Sequence, residues 1–223
     1  MKINAWLIHR QASGDTSVWI TLFTRELGLV RALCKGGRMP KKQAELQVFT
    51  PLWVVLDLKR DTYFVRQVEA KTATLPLSGT ALLAGWYLNE IINLSLRQAD
   101  VVTVLFDGYG LSLHALALAQ ENLTVEKILR RFECQLLQII GYALCFTHVA
   151  DLAQPIIAGK YYVLQMGRGF ILAEKGIPGE HLLAIACDCL DDVKVLHSAK
   201  IIMRQALHHA LDGVPLHTRN LFR

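Results

Sequence analysis

Between Arg31 and Lys42 the chain places five cations, Arg31, Lys35, Arg38, Lys41 and Lys42, and no acid. Such a run suits an anionic partner, nucleic acid first and a membrane surface second, because each cation that meets a phosphate releases a condensed counterion. Lys35-Gly36-Gly37-Arg38 sets two glycines between cations, so backbone N–H groups there could close on a phosphate as a nest. Trp6, Trp19, Trp53, Tyr63 and Phe64 fall in the same third of the chain. Rings beside a cationic groove are what single-strand binders stack bases on. Most of these rings alternate along strands and are expected in the core, which leaves one or two for bases. The plain alternative is a solvated basic face with no ligand.

Metal chemistry has a weaker signature. Cys145 and His148 have C-x2-H spacing, and Cys187 and Cys189 follow later, four ligands that could close a tetrahedral zinc site. A C-x-C pair is tighter than the usual zinc knuckle, and Cys187 follows Leu183-Ala184-Ile185-Ala186, where a small buried thiol is ordinary. No metal is therefore expected. Catalytic signatures are missing. There is no phosphate-binding G-x4-G-K-[ST] loop, no G-x-S-x-G elbow and no H-E-x-x-H helix. Gly108-Tyr109-Gly110 lacks the third glycine of a dinucleotide site. Asp191-Asp192 and His208-His209 are adjacent pairs whose side chains diverge, so no enzyme activity is expected.

The elements that must hold the basic run are strands. Asn4–His9, Val18–Phe23, Leu29–Leu33, Phe49–Leu58 and Thr62–Val68 are short apolar stretches separated by turn residues. Five such strands predict an OB-type barrel. At Leu75-Pro76-Leu77-Ser78-Gly79 the period changes. Ser78 is placed to cap a helix from Thr80 to Leu96 with Leu82, Leu83, Trp86, Ile91 and Leu94 as its apolar face. A second helical pattern runs over Val101–Ala119. A third, capped by Asn122 or Thr124, runs to Gly141. Residues 150–192 lose the helical period, and Tyr161–Leu164 with Phe170–Leu172 read as a hairpin. A last helix is expected from Ser198 to Gly213. The fold class is α+β: an OB barrel over 1–78 and a helical domain over 79–223, with a small irregular β-hairpin insertion at about 150–192.

Composition agrees with this and narrows the setting. The chain has 223 residues, 52% hydrophobic and 19% charged, which supplies a core and excludes a disordered chain. The net charge of +5 is unevenly spread: residues 1–78 hold 12 basic and 6 acidic side chains, and the remainder hold 12 and 13. No apolar run is long enough to span a bilayer, and no export signal opens the chain, so a cytoplasmic protein with no membrane partner is expected. The five cysteines then read as reduced thiols.

The motifs along the chain form a pattern. Gly14-Asp15, Thr21-Leu22-Phe23-Thr24-Arg25-Glu26-Leu27-Gly28, Val30-Arg31 and Lys35-Gly36-Gly37-Arg38 resemble the N-terminal OB domain of the RecO family of bacterial DNA repair proteins. Leu46–Pro51, Leu75–Gly79, Tyr87–Glu90, Leu129–Glu133, Gly141-Tyr142 and Gly213–Phe222 continue the resemblance in order, over nearly the whole chain. The resemblance implies a recombination mediator rather than an enzyme. Such a mediator binds single- and double-stranded DNA and anneals complementary strands coated with single-strand-binding protein. With RecR it helps to load RecA, a partner reached only indirectly. Many members carry a four-cysteine zinc site after the third helix. Here His148 and Val149 stand at the first expected positions and Asp151–Gln154 adds no cysteine, so a zinc-less member is expected.

The residues matched to these roles are few. Arg31, Lys35, Arg38, Lys41 and Lys42 are expected to contact phosphates, which position a protein without reading sequence. The resemblance also implies that the helical domain binds the acidic C-terminal tail of single-strand-binding protein. Lys127, Arg130 and Arg131, beside Ile128, Leu129 and Phe132, are the expected tail site, with Arg130 favoured. In the competing reading both arginines are solvated or pair internally with Glu126 or Glu133. A rival function is an adaptor whose charge meets acidic tails of proteins and no DNA. Alone, the chain is expected to be a monomer.

Overall fold

In the computed structural model, which describes residues 2–150 and 154–222, the alternating apolar residues between Ile3 and Ala70 close into a barrel. Its strands are β1 (Ile3–Ser13), β2 (Ser17–Thr24), β3 (Gly28–Cys34), β4 (Pro51–Lys59) and β5 (Thr62–Ala70). They pair in the order β1-β2-β3-β5-β4, and β4 returns to β1, so no edge is left open. Only β3 and β5 run parallel. This is the OB-type barrel that strand spacing predicts. Leu7, Ile20, Leu22, Ala32 and Leu52 point inward and are fully buried, while the residues between them on β2 and β3 face out. Lys59 pairs with Thr62, so Arg60 and Asp61 make a two-residue turn with φ of 45° and 63°. That turn matches the twist of the strands it joins.

The chain divides into two compact units, Met1–Ala119 with Leu216–Arg223, and Gln120–Pro215. The change from strand to helix at Ser78 and Gly79 lies inside the first. Besides the barrel, that unit holds α1 (Pro40–Glu45), α2 (Gly79–Ser95), α3 (Thr103–Leu118) and a 3-10 helix over His217–Phe222. A bulge between Leu7 and His9 takes Ile8 out of the β1–β2 ladder. Asn89 on α2 donates to the Ile8 carbonyl oxygen at 3.3 Å, and its own oxygen accepts from the Tyr109 hydroxyl of α3. Trp6 and Phe23 meet Tyr109 and Phe106 edge-on at ring separations of 5.6 and 5.4 Å. The helices therefore dock on the barrel through rings and one buried amide.

The apolar face expected for α2 is corrected. Ala81, Ala84, Tyr87, Leu88, Ile91 and Ile92 are buried, whereas Trp86 and Leu94 are exposed. Small residues, not large ones, set the approach: a Cβ on Gly85 would come within 2.8 Å of Leu77 and 2.9 Å of Phe49. Ser78 occupies the N-cap position but makes no side-chain cap bond.

In the second unit α4 (Asn122–Ile139) packs against α6 (Val193–Ala210), with β6 (Tyr161–Gln165) and β7 (Gly169–Ala173) as the expected hairpin. Two elements there carried no sequence signal, β8 (Ile177–Pro178) and α5 (Gly179–Ala186). Each is too short to show a period. α6 begins before the expected Ser198, because the Asp192 carboxylate caps it by accepting from the Lys194 N–H at 2.7 Å. Ser198 is instead interior and bonds His181 Nδ1 at 2.8 Å. Residues 151–153, part of the stretch expected to lack cysteine ligands, lie outside the described residues. No helix among the described residues is long and apolar enough to cross a membrane.

Candidate nucleic-acid interface

Strand alternation puts Arg31 and Leu33 on the outer face of β3, and the exposed Lys35 follows in the turn just past its end. Leu33 is in register with Trp19 on β2 and with Phe64 on β5, so Trp19, Leu33 and Phe64 form one half-buried row across three strands. The Arg31 guanidinium lies 4.7 Å from the Trp19 ring centre, and the Lys35 ammonium 5.8 Å from that of Phe64. Both distances suit cation–π contact. Asp57 on β4 stands opposite Phe64 and ends the row with an acid, so its cationic part is toward β2 and β3. Flat faces flanked by exposed cations are what stacked bases and their phosphates require.

The remaining cations of the basic run are placed differently. The nest expected at Lys35–Arg38 is not formed. Gly37 N–H donates to the Cys34 carbonyl oxygen, Arg38 N–H to that of Thr16 and Met39 N–H to that of Gly36, at 3.2, 2.9 and 2.9 Å. The glycines serve the turn instead. Gly36 has φ of 67°, and a Cβ on Gly37 would meet Val18 and the Cys34 carbonyl at 3.1 Å. Arg38 is exposed and donates to the Gly14 carbonyl oxygen at 3.0 Å. Lys41 is exposed on α1, a short helix that the sequence did not announce. Lys42 is half-buried and pairs with Glu45 at 3.1 Å, just past the acid-free run.

The aromatic candidates separate cleanly. Trp6 is in the core, and Tyr63 packs against the barrel interior. Trp19 and Phe64 face out. Trp53 is 41% exposed and carries the ammonium groups of Lys2 and Lys71 at 5.3 and 5.6 Å from its ring centre. Glu69, opposite Trp53 in the ladder, holds Lys2 at 2.6 Å. Sequence reasoning missed this second platform because its members are far apart in the chain and only strand pairing gathers them.

On α4 each expected tail-site cation already holds a carboxylate. Arg130 is buried, and its guanidinium meets Glu133 at two points, each 2.7 Å. That is the internal pairing weighed against it in the sequence. Arg131 is about half exposed and donates from Nε to both oxygens of Asp188 at 2.9 Å, which raises its pKa above the usual arginine value. Lys127 holds Asp191, and that bond lowers the pKa of the Asp191 carboxyl. Arg131 and Lys127 thus form a cationic edge with the exposed Asp188 and Asp191 seated on it, and Arg130 lies beneath.

The possible metal ligands do not converge. Among the described residues no three His, Cys, Asp or Glu side chains are grouped as a metal would need. Cys145 Sγ lies 3.5 Å from the Thr147 hydroxyl, which in turn is 2.9 Å from His148 Nδ1. The Thr147 hydroxyl bond, with backbone N–H support, pulls the Cys145 thiol down to about 7. Cys145 and His148 line a cavity of about 460 Å³ with Tyr142, Gln165, Arg168 and His209. Cys187 and Cys189 are exposed, and the Cys189 thiol donates to the Cys187 carbonyl oxygen at 3.6 Å.

Comparison with known proteins gives a consistent picture. The family model described as Recombination protein O N terminal matches residues 1–73, and Recombination protein O C terminal matches residues 76–200. A DNA repair protein RecO from Legionella pneumophila (strain Philadelphia 1) is 48% identical, covering 99% of this chain and 96% of that protein. One from Serratia proteamaculans is 37% identical, covering 98% and 92%. One from Klebsiella pneumoniae is 36% identical, covering 98% and 91%.

Proposed function

This chain belongs to the RecO family, and from that premise we propose that it binds single- and double-stranded DNA through its barrel as a repair and recombination mediator. In this reading it anneals complementary strands coated with single-strand-binding protein and, with RecR, helps to load RecA. The observation that carries the DNA reading is the Trp19–Leu33–Phe64 row with Arg31 and Lys35 over its rings. Annealing brings two polyanions together. A cationic face lowers their repulsion by displacing counterions, and base pairing itself supplies the sequence match. Neither step needs a catalytic group.

The tail of single-strand-binding protein is assigned to the second unit. Arg131 and Lys127 hold Asp188 and Asp191 at its surface. Both acids are replaceable, because an exposed ion pair contributes about 1 kcal/mol or less. An acidic peptide that also buries an apolar end can displace them. Arg130 is a support here rather than a contact.

One titration tests the DNA reading: labelled single strands against protein at several salt concentrations. Changing Lys35, Arg38, Lys41 and Lys42 together to Ala should flatten the salt slope by about 0.7 for each phosphate that the variant no longer neutralises. Trp19→Ala should weaken binding by about 1 to 3 kcal/mol and leave the slope alone, because stacking releases no counterions. An unchanged slope in the quadruple variant would sink the assignment. No DNA binding at any salt, with tail binding intact, would leave the adaptor reading.

A further inference from the structure

α3 carries two opposite apolar faces, and only one of them is covered. Leu105, Tyr109, Leu113 and Leu116 are fully buried in the first unit. On the opposite side Val104, Leu111 and Leu118 are 65, 72 and 81% exposed, and Val101, just before the helix, is 54% exposed. A surface helix ordinarily turns one apolar stripe to the core and polar residues to water. The exposed residues are also in order. Val104, Gly108, Leu111, Ala115 and Leu118 recur at alternating steps of four and three, the seam of a helix that pairs with another helix. Gly108 and Ala115 are small and accessible, so they make hollows between the larger side chains.

We propose that this seam docks against the same seam of a second copy of the chain, with the two α3 helices antiparallel about a twofold axis. The seam is complementary to its own reverse. Antiparallel packing sets Leu111 against Gly108 of the other copy and Val104 against Ala115, a large side chain over a small one in each layer. Leu118 then reaches Val101, just before the other helix begins. Because a twofold contact uses one patch twice, each pairing occurs twice.

Charge points to the same register. Asp107 and His114 flank the seam on one side, one heptad apart, and both are exposed. In the register that seats Leu111 on Gly108, Asp107 of each copy faces His114 of the other. Arg25 already orients the Asp107 carboxylate, donating from Nε at 3.1 Å and Nη2 at 3.0 Å. A carboxylate keeps further lone pairs for a second donor. A parallel arrangement would set the Asp107–His114 flank against the flank of Leu105 and Ser112 on the other copy and forfeit this match.

The contact is small. A four-turn helix is about 24 Å long, and one pair of such helices falls at or below the lower end of stable interfaces, about 1,200 Å². The dimer is therefore weak and reversible, and the chain is the expected monomer when dilute.

The test is sedimentation velocity on the full chain from about 1 μM to about 500 μM, the range in which such a contact would fill. The mean mass should climb from the 25.0 kDa of one chain toward twice that value. Leu111→Asp should hold it at one chain, and Leu111→Gln should lower association less. Circular dichroism and melting should stay as in the parent, since Leu111 touches water. His114→Glu should weaken the dimer about fivefold or more by facing Asp107, while His114→Lys should preserve it. A constant single-chain mass to the highest concentration would overturn the proposal. So would association indifferent to Leu111→Asp, or both His114 variants shifting it the same way.

Discussion

Arg130 and Glu133 stand one turn apart on α4, both removed from solvent, and each neutralises the other. In the sequence Arg130 looks like the better ligand for an acidic tail, because Arg131 adjoins Phe132. The structure puts the two arginines in opposite settings. Burial decides this. A guanidinium inside a helix pair needs its own carboxylate, whereas the exposed Arg131 can exchange Asp188 for another acid. Glu133→Ala should therefore lower stability by about 3 to 5 kcal/mol, since it leaves a buried cation uncompensated. Replacing Arg130 by Met and Glu133 by Leu together should restore most of that stability. Urea denaturation of the three proteins measures both values. A Glu133→Ala effect under about 1 kcal/mol would mean that water reaches the pair. Arg131→Ala should keep its stability and yet bind an acidic tail peptide less tightly.

Elements whose period is long and whose neighbours are close along the chain are legible in the sequence. The five barrel strands, α3, α4 and the β6–β7 hairpin fall where alternation and helical spacing put them. The short helices α1 and α5 and the two-residue β8 show no period to read. The buried face of α2 is hidden for another reason. Periodicity marks large apolar residues, but Ala81, Ala84 and Gly85 pack closely by being small. The site shows the same limit. Arg31 and Lys35 are visible as charge, while their placement over Trp19 and Phe64 depends on the register of three strands. Gly28 is an element joint of this kind. It opens β3 with φ of 67°, and a Cβ there would sit 2.1 Å from the Asp100 carbonyl oxygen. One residue later, Leu29 pairs with Gln98 and accepts from the Ala99 N–H, tying the α2–α3 connection to the barrel. Gly28→Ala should cost at least about 2 kcal/mol. The left-handed backbone alone accounts for about 1 to 2 kcal/mol of that, and the clash adds to it. A chemical melt that shifts by less would show that the connection can move aside.

At the scale of the whole molecule the chain ends where it began. The first unit is completed by Leu216–Arg223, although Gln120–Pro215 intervene as a unit of their own. Leu216 is buried. The Glu90 carboxylate on α2 accepts from the backbone N–H of His217 at 2.7 Å and of Thr218 at 2.9 Å, and from the Thr218 hydroxyl. An anion at the N-terminus of the 3-10 helix satisfies N–H groups that have no partner within it. The Arg219 guanidinium lies 5.9 Å from the Tyr87 ring centre, and the Phe222 ring meets the same ring edge-on at 6.4 Å. A stop after Pro215 removes all of these at once. It also leaves Glu90, which is half-buried, without its donors. The destabilisation should be about 2 to 4 kcal/mol, since each bond to a charged group contributes about 1.5 to 3 kcal/mol and ordering the tail offsets part of it. Because the tail belongs to the first unit, hydrogen exchange should quicken in α2 and the barrel and stay slow in α4 and α6. Glu90→Ala in the full-length chain should give a smaller effect with the same distribution. Equal loss of protection in both units would mean that they unfold together. No loss in either would mean that the C-terminal segment contributes nothing to the unit it completes.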